Sequence, residues 1–196
     1  MNSTDFRQVI DIPDEKDAIK IGCIKGSGRV LFIKTGQGGS IYGYENKYMN
    51  LARTVNESYG CTVFVSATAS DTKQIYDKEM KIVADCLRDM PYEIYYMGIS
   101  KGGLIGCWYG AENPRIKRVV AVNAPLMINF HNRTLPSVKK YSRDRLTMIY
   151  GSLDPSYRYI DFVRPYATVK IDDGADHQFR QHTEMLDAIA TDLLNE

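Results

Sequence analysis

The 196-residue sequence lacks any apolar stretch approaching the roughly 18 residues of a membrane-spanning helix, so no span is expected. Cysteine is scarce and scattered. The four, Cys23, Cys61, Cys86 and Cys107, form no C-x-x-C pair and no metal-ligand spacing. They fall in apolar or periodic segments, where cysteine behaves as a small buried hydrophobe, so reduced thiols in a cytoplasmic protein are expected. An excess of one charge is missing too: 25 Lys and Arg against 24 Asp and Glu leave a formal net charge of +1. With basic residues spread along the chain, the electrostatic footprint of a nucleic-acid or anionic-membrane binder is absent, and neither partner is expected. The richest basic cluster, Arg133 to Arg145 with Lys139, Lys140 and Arg143, reads as a solvated helix and loop. Met1 to Asp17 is polar and charged, unlike a signal peptide. Repeats, low-complexity tracts and Pro/Gly/Ser linkers are lacking as well, which favours one domain over 1–196 with a single core.

What the chain has is regular alternation. Short β-branched or aromatic runs predict strands at Phe6–Ile12, Ile19–Lys25, Val30–Lys34, Cys61–Ser66, Glu93–Ile99, Ile116–Val122, Leu146–Tyr150 and Ala167–Ile171. Gly26-Ser27-Gly28, between the second and third runs, reads as a tight hairpin turn. Apolar residues at helical spacing predict helices over Asn46–Tyr59, ending at Gly60, over Ile75–Met90, stopped by Pro91, over Leu104–Ala111 and over Thr183–Leu194. An antiparallel start followed by strand–helix units predicts an eight-stranded, mostly parallel sheet with helices on both faces, an α/β class.

Four segments carry candidate chemistry, each at or directly after the end of a predicted strand. Gly98-Ile99-Ser100-Lys101-Gly102 places G-x-S-x-G where a strand meets a helix. A nucleophile there needs a strained backbone that lifts its hydroxyl clear of the sheet, and Gly98 and Gly102 leave room for it. The amide of Lys101 opens the helix and points into the same space. Thr35-Gly36-Gln37-Gly38-Gly39-Ser40 frees backbone amides, and Gln37 or Gly38 would supply a second oxyanion donor. A phosphate loop fits poorly there: no Lys-Ser/Thr follows, and the third glycine of G-x-G-x-x-G is lacking; a plain flexible turn is the other alternative.

Gly151-Ser152-Leu153-Asp154-Pro155 offers an acid able to orient a histidine, although alone Asp154 would pass for a turn residue before proline. Asp172-Asp173-Gly174-Ala175-Asp176-His177 supplies that histidine. Of the three histidines only His177 follows a predicted strand, while His131 and His182 look like surface residues. A metal reading of Asp172, Asp173, Asp176 and His177 finds no His-x-x-x-His pair, and adjacent aspartates should point apart. Trp108, Tyr109 and the stripe Met80, Val83 and Leu87 read as core, and the Lys101 side chain as solvated.

The order Ser100, Asp154, His177 around a G-x-S-x-G elbow resembles the α/β-hydrolase family over essentially the whole chain. The resemblance implies an eight-stranded, mostly parallel sheet whose second strand is antiparallel. It also implies Ser100 as nucleophile, His177 as general base and then acid, Asp154 as orienting acid, and the amides of Gln37 and Lys101 as oxyanion hole. Thr35 departs from the many relatives that carry histidine before the loop glycine. No metal or organic cofactor is implied. The expected substrate is a small-molecule acyl ester or thioester, or a carrier-bound acyl group. The stretch Asn123 to Asp144, where many relatives insert a large lid, is short here and interrupted by Pro125 and Pro136, so an open, shallow site is expected. An acyltransferase using the same Ser100 and a non-catalytic binding protein on this scaffold are the competing expectations.

Overall fold

The structure, a computed structural model, describes residues 5–13, 18–68, 70–177 and 185–195. Its strands are β1 Gln8–Ile12, β2 Ile19–Ile24, β3 Ser27–Lys34, β4 Cys61–Ser66, β5 Glu93–Ile99, β6 Ile116–Val122, β7 Leu146–Gly151 and β8 Thr168–Asp172. The helices are α1 Lys47–Tyr59, α2 Lys73–Cys86, α3 Lys101–Tyr109, the short α4 Leu135–Val138 and α5 Ile160–Val163, and α6 Met185–Asn195. The eight strands form one sheet in the order β1-β2-β4-β3-β5-β6-β7-β8. The second strand runs antiparallel to both its neighbours, and every other neighbouring pair is parallel.

Period-two alternation along the central strands splits the interior into two layers. Val30 and Phe32 of β3, Ile94 and Tyr96 of β5, and Val119 and Ala121 of β6 face one side, packing with Ile75, Met80 and Val83 of α2 and Leu104, Ile105 and Trp108 of α3. Leu31 and Ile33, Tyr95 and Met97, and Val120 and Val122 face the other side, against Met49, Ala52 and Val55 of α1 and Ile189, Leu193 and Leu194 of α6. Strands covered on both faces read as unbroken apolar runs, which is how these appear in the sequence. Cys23, Cys61 and Cys107 are buried free thiols, as small hydrophobes should be. Trp108 and Tyr109 are buried as well.

The hairpin expected at Gly26-Ser27-Gly28 does not form. β4 lies between β2 and β3, and the link crosses the start of β4, where Gly26 N donates to Thr62 Oγ1 at 2.9 Å and Ser27 N to Gly60 O at 2.7 Å. The reason is burial: all six residues of β4 are buried, and a strand apolar on both faces needs an interior place. The glycines serve close approach instead. A Cβ on Gly26 would sit 2.6 Å from Cys61 C, far inside van der Waals contact. The stretch after β6 is no lid domain. It folds as a π-helical turn, Phe130–Thr134, running into α4, and is anchored to the core by Phe130, Val138 and Tyr141. The predicted start of the last helix, His182 and Gln178-Phe179 lie outside the described residues. Among the described residues no helix is long and apolar enough to cross a membrane.

One buried ion pair went unread in the sequence. Lys34, ending β3, donates from Nζ to Glu79 Oε1 of α2 at 2.6 Å and to Ser66 Oγ at 3.1 Å. Both charged side chains are only 1% exposed, and Ser66 also donates to Glu79 through a short hydrogen bond. Burial pushes the Lys34 amine below its ordinary range, and Glu79 pulls it partly back. Breaking such a pair leaves one charge uncompensated in a medium that solvates it badly, whereas removing both relieves the cost. Glu79→Leu should therefore lose about 3–5 kcal/mol in urea unfolding, and Lys34→Met/Glu79→Leu should recover most of that loss. A single variant as stable as the parent would show that the pair carries no such weight.

Candidate active site

Because β3 to β8 all run parallel to their neighbours among themselves, their C-terminal ends share one edge of the sheet. The four candidate segments leave from that edge. Ser100 occupies the turn between β5 and α3 with φ 52° and ψ −119°, a left-handed φ that costs a non-glycine residue about 1–3 kcal/mol. The surroundings hold it there: Ser100 N donates to Val122 O at 2.7 Å, and Leu104 N donates to Ser100 O at 3.1 Å. Gly98 and Gly102 allow the turn to close. A Cβ on Gly98 would lie 2.5 Å from Gly102 C, and one on Gly102 would lie 2.7 Å from Lys34 C.

The Thr35–Gly39 loop comes against this turn. A Cβ placed on Gly36 would sit 3.2 Å from Ser100 Cβ and 3.7 Å from Ser100 Oγ. Gly39 N donates to Gly36 O at 3.1 Å, which makes Gln37 and Gly38 the corner of a tight turn. Gly38 takes φ 71°, where glycine alone is unstrained. On the opposite flank Lys101 heads α3, and its side chain reaches Asp71 Oδ2 at 3.3 Å rather than standing free in solvent.

Ser100 Oγ lies 3.0 Å from His177 Nε2, and His177 Nδ1 lies 2.5 Å from Asp154 Oδ2. The loops that deliver the last two are laced together: Leu153 N donates to Ala175 O at 3.1 Å and Ser152 N to Asp172 O at 2.9 Å. Asp154 is buried, and its other oxygen, Oδ1, accepts from Ser156 N at 2.6 Å. Both carboxylate oxygens are thus occupied, which fixes the plane of the group. Asp173 is turned elsewhere, accepting from Ser152 Oγ at 3.0 Å. His131 lies exposed in the π-helical turn, outside this constellation. Among the described residues no three His, Cys, Asp or Glu side chains converge so as to hold a metal ion.

The hydrogen bond that His177 donates to Asp154 raises the His177 pKa above its ordinary value, burial opposes it, and the charges of Asp154 and Asp176 add to the rise. An imidazole held this way has a set tautomer: its proton sits on Nδ1, leaving Nε2 as acceptor toward Ser100. Its side chain remains 41% exposed, so the site opens to solvent.

Sequence reasoning passed over one residue at this site. Asn123, directly after β6, is fully buried at φ 46° and touches both loops through its side chain. The only signal was an asparagine, the residue type most tolerant of a left-handed φ, where an apolar strand ends.

Compared with protein-family models and with the sequences of curated proteins, the chain matches none. Its backbone is nonetheless similar to solved structures along nearly its whole length. Est1E from Butyrivibrio proteoclasticus superposes with a TM-score of 0.71 at 15% identity, over 96% of this chain and 99% of that one. An esterase from Pyrococcus furiosus gives 0.71 at 15% identity, over 96% and 91%. An α/β serine hydrolase without a lid, from Xanthomonas campestris, gives 0.64 at 13%, over 96% and 93%. Identities this low speak for architecture, and the architecture these proteins share with the chain is the α/β-hydrolase fold.

The site makes a claim that needs no turnover to test. Assigned by His177→Gln, the His177 ring should titrate by NMR above its ordinary 6.5, and Asp154→Asn should bring that value down by removing the leading cause of the rise. A value unchanged in Asp154→Asn would contradict the geometry.

Proposed function

We propose that the chain is a serine hydrolase that cleaves an ester or thioester of a small acyl substrate through an acyl-enzyme. The observation that carries this reading is the unbroken line Ser100 Oγ, His177 Nε2, His177 Nδ1, Asp154 Oδ2, with steps of 3.0 and 2.5 Å at its two hydrogen bonds. In it His177 accepts the Ser100 proton as the hydroxyl attacks the acyl carbonyl. Asp154 stabilises the imidazolium, which then protonates the leaving alcohol or thiol. The Lys101 amide, at the positive end of α3, and the Gln37 amide, at the loop corner against Ser100, hold the oxyanion. Water, deprotonated by His177, attacks the acyl-enzyme and frees Ser100. No step calls for a metal or an organic cofactor.

The likeness to esterases supports the reaction class, and one of them, Est1E, has been solved with ferulic acid bound. An exposed His177 and a tightly packed stretch after β6 favour a small soluble ester, or an acyl group presented by a carrier, over an aggregated lipid. A His177 side chain that is 41% exposed leaves water access to the acyl-enzyme, which favours hydrolysis over transfer to an alcohol or amine.

An alkyl fluorophosphonate should label Ser100 and no other serine by peptide mapping. Label on another serine, or none on protein that hydrolyses p-nitrophenyl esters, would overturn the assignment. Among those esters, short acyl chains should turn over fastest. Asp154→Asn should lower kcat by on the order of 10⁴-fold with KM little changed, and Asp176→Asn should be mild. Since neutral His177 is the active form, kcat/KM should rise with pH through an ionisation above 6.5. A flat profile with chemistry rate-limiting would rule out this base, and inhibition by a chelator would rule out the metal-free scheme.

A further inference from the structure

We propose that Asn123 is the positioning residue of this site: its single carboxamide joins the loop bearing Asp154 to the loop bearing His177 and thereby sets the alignment of the two. The inference rests on the hydrolase reading for its kinetic consequence, but not for its physical content.

The carboxamide lies where all three segments meet. Oδ1 accepts from Gly151 N at 3.0 Å, at the end of β7 where the Asp154 turn begins. Nδ2 donates to His177 O at 2.9 Å and to Asp176 O at 3.1 Å. One acceptor faces an N–H and two donors face two carbonyls, so the chemistry of the partners fixes which way the amide points. The backbone at Asn123 is also tied to the serine turn: the preceding residue, Val122, accepts from Ser100 N, and Asn123 N donates to Ile149 O at 2.8 Å. Its side chain therefore spans two loops from a backbone already tied to the third.

Side chains of similar or smaller size without a carboxamide do not meet that demand. Aspartate presents two acceptors where two carbonyls need donors. Leucine fills the volume and leaves Gly151 N and both carbonyls without this partner, a costly state for buried polar groups. Serine is too short to span from one loop to the other. The backbone adds to the argument: Asn123 has φ 46° and no solvent exposure, so a strained conformation is maintained at a buried position. The three hydrogen bonds of the carboxamide are the compensation visible for that strain.

The consequence follows from how His177 is held. Its ring is fixed by Asp154 on one side and Ser100 on the other, but its main chain is fixed by Asn123 through the His177 carbonyl. The groups that set its titration are Asp154 from the β7 loop, with Ser156 N holding the other carboxylate oxygen, and Asp176 from its own loop. Asp173 is engaged by Ser152, and the Ser100 hydroxyl completes the surroundings. Asn123 carries no charge, so it moves the titration of His177 through the placement of the ring: its hydrogen bond to Asp154 and its burial. That separates a positioning role from a general contribution to stability.

The test uses Asn123→Gly, which removes the carboxamide and leaves a residue at ease with a positive φ, so that strain is not confounded with lost hydrogen bonds. Unfolding is measured first, then the His177 titration by NMR, then the rate of fluorophosphonate labelling. A folded Asn123→Gly should show the His177 pKa shifted down toward 6.5 and labelling slowed by about 100-fold, with KM for a small ester nearly unchanged. A lowered melting temperature with the parent's titration and labelling rate would reduce Asn123 to a structural residue and overturn the proposal. Should the variant not fold, the parent protein decides. The Asn123 side-chain NH2 signal should exchange slowly with solvent and shift with the same midpoint as the His177 ring. A fast-exchanging signal that ignores that midpoint would overturn it equally. Parent protein that fails to label while its His177 titration still depends on Asn123 would sink the hydrolase reading and leave this one standing.

Discussion

Everything at the candidate site depends on the parallel run of strands from β4 through β3, β5, β6 and β7 to β8, because parallel neighbours all end at the same edge. Residues as distant in sequence as Gly36, Ser100, Asp154 and His177 become neighbours only because the strands that precede them end together. The ladder is held by burial on both faces rather than by any local preference. A strand such as Cys61–Ser66, buried at every residue, has nowhere to go but the interior of a sheet covered on both sides. The loops are then drawn close by backbone bonds, and Leu153 N to Ala175 O is the stitch nearest the acid and the base.

On that scaffold the electrostatics are a contest between burial and a neighbouring carboxylate, fought twice with different outcomes. At Lys34, nearly unexposed, burial dominates and the ammonium loses ground despite Glu79. At His177, half open to solvent, the hydrogen bond to Asp154 outweighs burial, and the ring gains affinity for a proton. The difference is exposure: water still solvates the imidazolium but scarcely reaches the lysine. The buried pair lies at the foot of the Thr35–Gly39 loop, where Thr35 N donates to Ser66 O and Ser66 Oγ contacts both charged partners. The loop that packs against Ser100 therefore starts from a pinned residue.

Much of this was legible in the sequence, and what was not shares a physical cause. The bounds of β4, β5 and β6 match the expected ones, since a strand buried on both faces writes most of its length in apolar residues. Gly98-x-Ser100-x-Gly102 was readable because close backbone approach demands glycine and nothing else. The misread link at Gly26-Ser27-Gly28 shows the limit of the same logic: glycine announces a tight approach, not what is approached. Gly60, Cys61 and Pro91 are the neighbours there, all more than 30 residues along the chain, and local pattern is silent about them. Asn123, Lys34 and Glu79 were missed for a related reason. Each is one polar residue whose partners lie on other strands or helices, and a lone Asn or a lone Lys in sequence reads as surface.

The central claim is that an acyl group passes through Ser100 Oγ. The protein is mixed with p-nitrophenyl butyrate, stopped in acid during the first turnovers, and read by intact mass followed by peptide mapping. One butyryl group per chain, located on Ser100 and absent from Ser100→Ala, is the expected result. Release of p-nitrophenol from Ser100→Ala at the parent's rate, or a butyryl group located on a residue other than Ser100, would contradict it.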